Sequence, residues 1–105
     1  MASNDAQYEV VWPKAPAGGQ QRPLADRLDS LAGKRIGFVW DYLFRGEEIF
    51  PVIGRELTRR YPDLTVVGYD QFGNIHGADE AKLVASLGAE LHARHVDAVI
   101  CGNGC

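Results

Sequence analysis

The residues with the greatest chemical capacity in this chain of 105 are two nearby thiols, Cys101 and Cys105, in the run Cys101-Gly102-Asn103-Gly104-Cys105. A thiolate is a strong nucleophile, and flanking glycines let backbone N–H groups come close to an anion. Cys105, which follows two glycines, is therefore the candidate nucleophile or redox thiol. Cys101 adjoins an apolar run and alternates with its core-facing positions, so it reads as a small core residue. The C-x-x-x-C spacing fits neither a zinc knuckle nor the C-x-x-C redox pair, and a structural disulfide is not expected of a cytosolic chain.

His76, in the loop Gln71-Phe72-Gly73-Asn74-Ile75-His76-Gly77, is the candidate proton carrier, with Asp41 or Asp70 to orient it. The plain alternative is a solvated loop histidine. Asp41 and Asp70 each close an apolar run, where aspartate also caps turns. Read as a pair, one on either side of the cysteine strand, they say more than either alone. The catalytic candidates are thus Cys105, His76 and Asp41, and the substrate-binding candidates are Asp70, Arg45, Asn103 and Tyr42. Arg45 and the helix start that follows it could hold an anionic group. A metal ion held by Cys101, Cys105 and His76 is a third reading. No other cofactor is predicted, because neither the G-x-G-x-x-G nor the P-loop spacing occurs.

These residues need elements to position them. Lys34 to Asp41 is a nearly continuous apolar run between charges, the mark of a parallel strand buried on both faces. Phe50, Ile53, Leu57 and Tyr61 then share one helical face, with Glu47 and Glu48 toward the amino end and Arg55, Arg59 and Arg60 toward the carboxyl end, as the helix dipole favours. Pro51 belongs in a first turn, which predicts a helix start near Ile49. Gly54 would let that helix lie close to a strand. Leu64 to Asp70 is a second, β-branched strand. Asp79 is placed to cap a helix carrying Leu83, Val84, Leu87 and Leu91, which His92 and His95 finish. Val96 to Ile100 is the third strand. Before all of these, Leu24, Leu28 and Leu31 predict a short helix ended by Gly33.

The order β-α-β-α-β predicts an α/β fold: a three-stranded parallel sheet in order 2-1-3, of half-Rossmann or flavodoxin-like type. Ligands of such sheets sit outside the carboxyl ends of the strands, where Asp41 to Arg45, Asp70 to His76 and Cys101 to Cys105 would gather. Three strands leave open edges, so a second polypeptide is expected to complete the sheet. Residues 1–21 read as a flexible arm and 22–105 as the α/β domain. Tyr8 to Trp12 is an apolar cluster within the arm, suited to adding an edge strand, to gripping a partner or, equally, to covering the chain's own core.

Composition narrows the function classes. The formal net charge is −3 with a pI near 5.5, which argues against a nucleic-acid or anionic-membrane surface. With 46% hydrophobic and 24% charged residues the chain is of ordinary globular type. No apolar run approaches the roughly 20 residues of a membrane span, and Met1 to Pro23 lacks the pattern of a signal peptide, so the expected location is the cytoplasm.

Three stretches carry a family resemblance: Leu28-Asp29-Ser30-Leu31-Ala32-Gly33-Lys34-Arg35-Ile36-Gly37-Phe38, Trp40-Asp41-Tyr42-Leu43-Phe44-Arg45-Gly46-Glu47-Glu48, and Val96 to Ile100 leading into the Gly/Cys-rich end. From about Leu24 to Cys105 the chain resembles the UGSC-type (seleno)protein family. Its name describes a selenocysteine-or-cysteine, Gly, Ser, Cys motif after an equivalent strand, which implies a thiol or selenol redox centre. Here no Gly-Ser-Cys follows. The expectation is one of three: a selenocysteine codon read as a stop, a cut fragment, or a second half supplied by a separate polypeptide. The leading functional reading is a subunit of a heteromeric cysteine-dependent enzyme, an oxidoreductase or lyase acting on a small molecule. The alternative is a non-catalytic subunit that completes a partner's sheet.

Overall fold

The computed structural model describes residues 5–104, so Cys105 lies outside the described residues. The element order is β1 (Arg35–Trp40), α1 (Gly46–Arg60), β2 (Thr65–Val67), a 3-10 turn (Tyr69–Gln71), α2 (Glu80–Ala93) and β3 (Ala98–Gly102). The strands form a parallel sheet in the order β2-β1-β3, as the β-α-β-α-β pattern predicts.

β1 is central because its side chains are apolar on both faces. Ile36, Phe38 and Trp40 pack with Phe50, Ile53 and Leu57 of α1, whereas Val39 packs with Val67, Phe72 and the α2 residues Leu87 and Leu91. The helices therefore cover opposite faces, which places a change of winding direction at the carboxyl end of β1. Burying a side chain such as Phe38 or Phe50 contributes about 1.5–3 kcal/mol. Charge agrees with the α1 dipole: Glu47 and Glu48 lie in its first turn, Arg59 and Arg60 in its last.

Several local expectations are corrected. α1 begins at Gly46, three residues before Ile49, and Pro51 sits inside it. The carbonyl of Glu47 consequently lacks its helical donor, which is tolerable because both residues face solvent. Gly54 does not owe its place to crowding, since a Cβ there would stand 3.7 Å from Phe38, an ordinary contact. The predicted helix at Leu24 to Leu31 does not form; residues 5–34 contain neither helix nor strand. Leu24 is 90% exposed, and so short a helix cannot persist without a packing surface. Gly33 does take the left-handed conformation, at φ 70°, in the turn that leads into β1.

β2 ends at Val67 and not at Asp70, because the Gly68 carbonyl turns to accept Gln71 N–H at 3.1 Å. β3 starts two residues later than expected: the Asp97 side chain accepts Arg35 N–H at 2.8 Å, and the ladder proper takes in Cys101 and Gly102. Asp79 precedes α2 without a side-chain capping bond. Val84 is 53% exposed and lies off the inner face formed by Leu83, Leu87 and Leu91.

Candidate functional site

Asp41 is the buried polar centre of the strand ends, 7% exposed. Its Oδ1 accepts the Leu43 N–H at 3.0 Å and its Oδ2 accepts the Gly104 N–H at 2.8 Å. Its own N–H donates to the Gly102 carbonyl at 3.3 Å. One carboxylate thereby ties the segment leaving β1 to the segment leaving β3. Hydrogen bonds to a charged acceptor contribute about 1.5–3 kcal/mol each.

The β1 exit loop is strained and held on several sides. Tyr42 and Phe44 adopt left-handed φ values of 61° and 59°. Each costs about 1–2 kcal/mol in a residue other than glycine. Leu43 between them is fixed at both ends of its peptide, by Asp41 and by the Trp40 indole, whose Nε1–H donates to the Leu43 carbonyl at 2.8 Å. Tyr42 stacks on the Trp40 ring with centroids 4.6 Å apart, and Tyr69 meets both rings edge-on. Burial, with Tyr69 and then Asp70 nearby, raises the Tyr42 pKa, so its hydroxyl stays a neutral donor at physiological pH. Strain of this kind concentrates where backbone is shaped for a ligand.

The loop after β2 closes the other side. Ile75 N–H donates to the Trp40 carbonyl at 3.2 Å, and Asn74 pairs with Trp40 as an isolated bridge. Asn74 Oδ1 accepts His76 N–H at 2.9 Å, a turn that sets His76 at the rim. Asp41, Leu43, Ile75, His76, Asn103 and Gly104 together line a cleft of about 290 Å³. It lies outside the carboxyl ends of β1 and β3, where the winding rule places ligands. A second cleft, of about 230 Å³, shares Leu43 and Asn103 and continues along the outer edge of β3 past Cys101, Phe44, Ile49 and Phe50.

The sequence-derived candidates separate into groups. Asp41, His76 and Asn103 come to one cleft. Tyr42 and Asp70 lie beside each other on the β2 side, and Asp70 is exposed, accepting a Gln71 side-chain hydrogen bond at 3.1 Å. The two aspartates do not flank the cysteine strand, because β3 is an edge strand and both lie on its inner side. Arg45 lines neither cleft; it is exposed and pairs with Glu48 at 3.6 Å, while its carbonyl accepts the first helical N–H groups. Neither aspartate orients His76: its Nδ1 stands 3.3 Å from Glu80 Oε2, at the start of α2. The His76-x-x-x-Glu80 spacing was the available signal for that pair, and Trp40, the clamp on Leu43, was legible as a strand-end indole needing an acceptor.

Cys101 is not a core residue. It is exposed on β3, on the same side as Val99, and its Sγ lies 3.4 Å from Asn103 Oδ1. Partial shielding of the sulfur, and then the Asp41 charge, push its pKa up, so it remains a thiol at neutral pH. Among the described residues no three His, Cys, Asp or Glu side chains are grouped to hold a metal ion. The proposed trio includes Cys105, the candidate nucleophile, which lies outside the described residues. Among the same residues no helix is long and apolar enough to cross a membrane.

The model described as the UGSC family matches residues 9–105, and the chain belongs to that family. No curated protein matches the chain, and no solved structure does.

Proposed function

We propose, taking membership of the UGSC family as the premise, that this chain is a subunit of a cysteine-dependent enzyme acting on a small molecule. Cys105 supplies the reacting thiol, His76 carries the proton, Asp41 positions the strand exits, and Asn103 and Tyr42 contact substrate. The observation that carries this reading is the Asp41–Gly104 hydrogen bond of 2.8 Å, which fixes the residue preceding Cys105 at the cleft that His76 and Asn103 line. The thiolate attacks a disulfide sulfur or an electrophilic carbon; the leaving thiolate or the carbanion then takes a proton from His76, which Glu80 holds. Asp70 and Arg45, which line neither cleft, make outer contacts with substrate or partner.

A second polypeptide completes the sheet at the outer edge of β3. Supporting this, the β3 edge is unpaired among the described residues, and the adjoining cleft presents Phe44, 76% exposed, with Ile49 and Cys101. The cytoplasm, where thiols stay reduced, is the matching location. The test is Cys105→Ser in the assembly reconstituted with that polypeptide. Turnover should fall by at least a hundredfold; unchanged turnover removes the reading.

The same open edge favours a second reading, a non-catalytic subunit that completes a partner enzyme's sheet. It predicts that alkylating Cys105 leaves the assembly's activity intact.

A further inference from the structure

We propose that residues 7–12 add as a strand to the outer edge of β2 in a second copy of this chain, so that two copies exchange amino-terminal arms. The inference is independent of the cysteine chemistry. β2 pairs with β1 alone, so its other edge is open among the described residues. Thr65 N–H donates to the Lys34 carbonyl at 3.0 Å, and the alternation of a parallel ladder therefore turns the Val66 N–H and C=O outward.

Two clefts of opposite character meet along that edge, sharing Val66 and Gly68. On the α1 face a cleft of about 400 Å³ is walled by Phe38, Phe50 and Tyr69. On the α2 face a cleft of about 540 Å³ is lined by Arg35, Arg94 and His95, with no acidic residue in its lining. Arg94 is already engaged with Gln71 and Glu90. Arg35 uses its Nε on the Arg94 carbonyl at 2.9 Å, and its two terminal nitrogens have no partner among the described residues.

The arm has the complementary pattern. In an extended strand Tyr8, Val10 and Trp12 share one side, and Gln7, Glu9 and Val11 the other. Laid along β2, the first set enters the apolar cleft and Glu9 faces Arg35. Tyr8, Val10, Val11 and Trp12 are 75–92% exposed in the structure, an arrangement that leaves two aromatics and two valines in water. The family match begins at Glu9 and so takes in Val10, Val11 and Trp12.

The extended placement of the arm favours a second copy over the chain's own edge. The chain measures 86 × 30 × 25 Å with a radius of gyration of 22.2 Å, well above the roughly 13 Å of a compact domain this size, because the arm runs away from the body. Each chain has one arm and one open β2 edge, so a mutual exchange uses each once and closes about a two-fold axis. Two tyrosines and two tryptophans bury roughly 600–1,000 Å², and the valines and the receiving clefts bring the total to the ~1,200 Å² of a stable interface.

Sedimentation equilibrium of the full chain tests this. A dimer is expected, with its dissociation constant raised at least tenfold by Tyr8→Ser/Trp12→Ser in the arm. Val66→Pro, which removes the outward N–H while sparing the β1 ladder, should do the same, with folding checked by circular dichroism. Glu9→Arg should weaken the dimer and Glu9→Arg/Arg35→Glu restore it. A monomer at every concentration, a dimer indifferent to the arm variant, or one sensitive to the arm but not to the β2 edge would each overturn the proposal.

Discussion

At the scale of single residues, Asp41 and Cys101 are the informative pair. Asp41 spends both carboxylate oxygens on backbone N–H groups of separate segments. Asp41→Asn keeps the shape but replaces one acceptor with a donor that faces an N–H. We expect a loss of about 1–3 kcal/mol, measured by urea unfolding. The Cys101 pKa is raised, and the sign of its linkage follows. Above the ordinary thiol pKa the unfolded chain loses this proton while the folded chain keeps it, so the group's contribution to stability falls as pH rises beyond roughly 8.5. Its alkylation rate should still be climbing at pH 10, where an unperturbed thiol is near its plateau. Alternation along the strand assigned Cys101 to the core, yet a face is buried only when something covers it, and α2 packs over Val39 and Val67 and leaves Val99 and Cys101 open.

At the scale of elements, the glycines separate crowding from propensity. A Cβ at Gly46 would fall inside the Trp40 indole, where α1 starts against the clamped loop. Gly46→Ala should destabilise by about 1–3 kcal/mol and loosen the Leu43 contacts. Gly88, in the middle of α2, has open space where its Cβ would be. Gly88→Ala should stabilise by about 0.5–1 kcal/mol, seen as a raised Tm. Legibility varied for related reasons. β1 and α1 were readable because a continuous apolar run and a 3.6-residue period each carry their own burial. In the Leu24 to Leu31 segment Leu31 packs against the core while Leu24 and Leu28 stay exposed, and period alone does not make a helix. Asp70 looked like a strand end because the turn at Gly68 is a backbone event that the sequence marks only with one glycine. The Asp41 clamp was legible as a strand-end acid, whereas its grip on Gly104, 63 residues away, depended on the sheet order.

At the scale of the whole molecule, the sheet has among the described residues two open edges with different surroundings. The β2 edge separates an apolar cleft from a cationic one, and the β3 edge runs into the clefts that share Leu43 and Asn103. The first suits the chain's own arm and the second a segment that completes the site, so self-association and site completion would use separate edges. A consequence is that arm variants leave thiol reactivity unchanged, measured by alkylation of the same preparations used for sedimentation. The central claim, that the β3 exit presents a reactive Cys105, is tested most directly by competitive labelling with isotope-coded iodoacetamide at pH 7, read by mass spectrometry at both cysteines. The account predicts that Cys105 reacts at least tenfold faster than Cys101 and that His76→Ala slows Cys105 alone; equal rates at the two cysteines, or no response to His76→Ala, would contradict it.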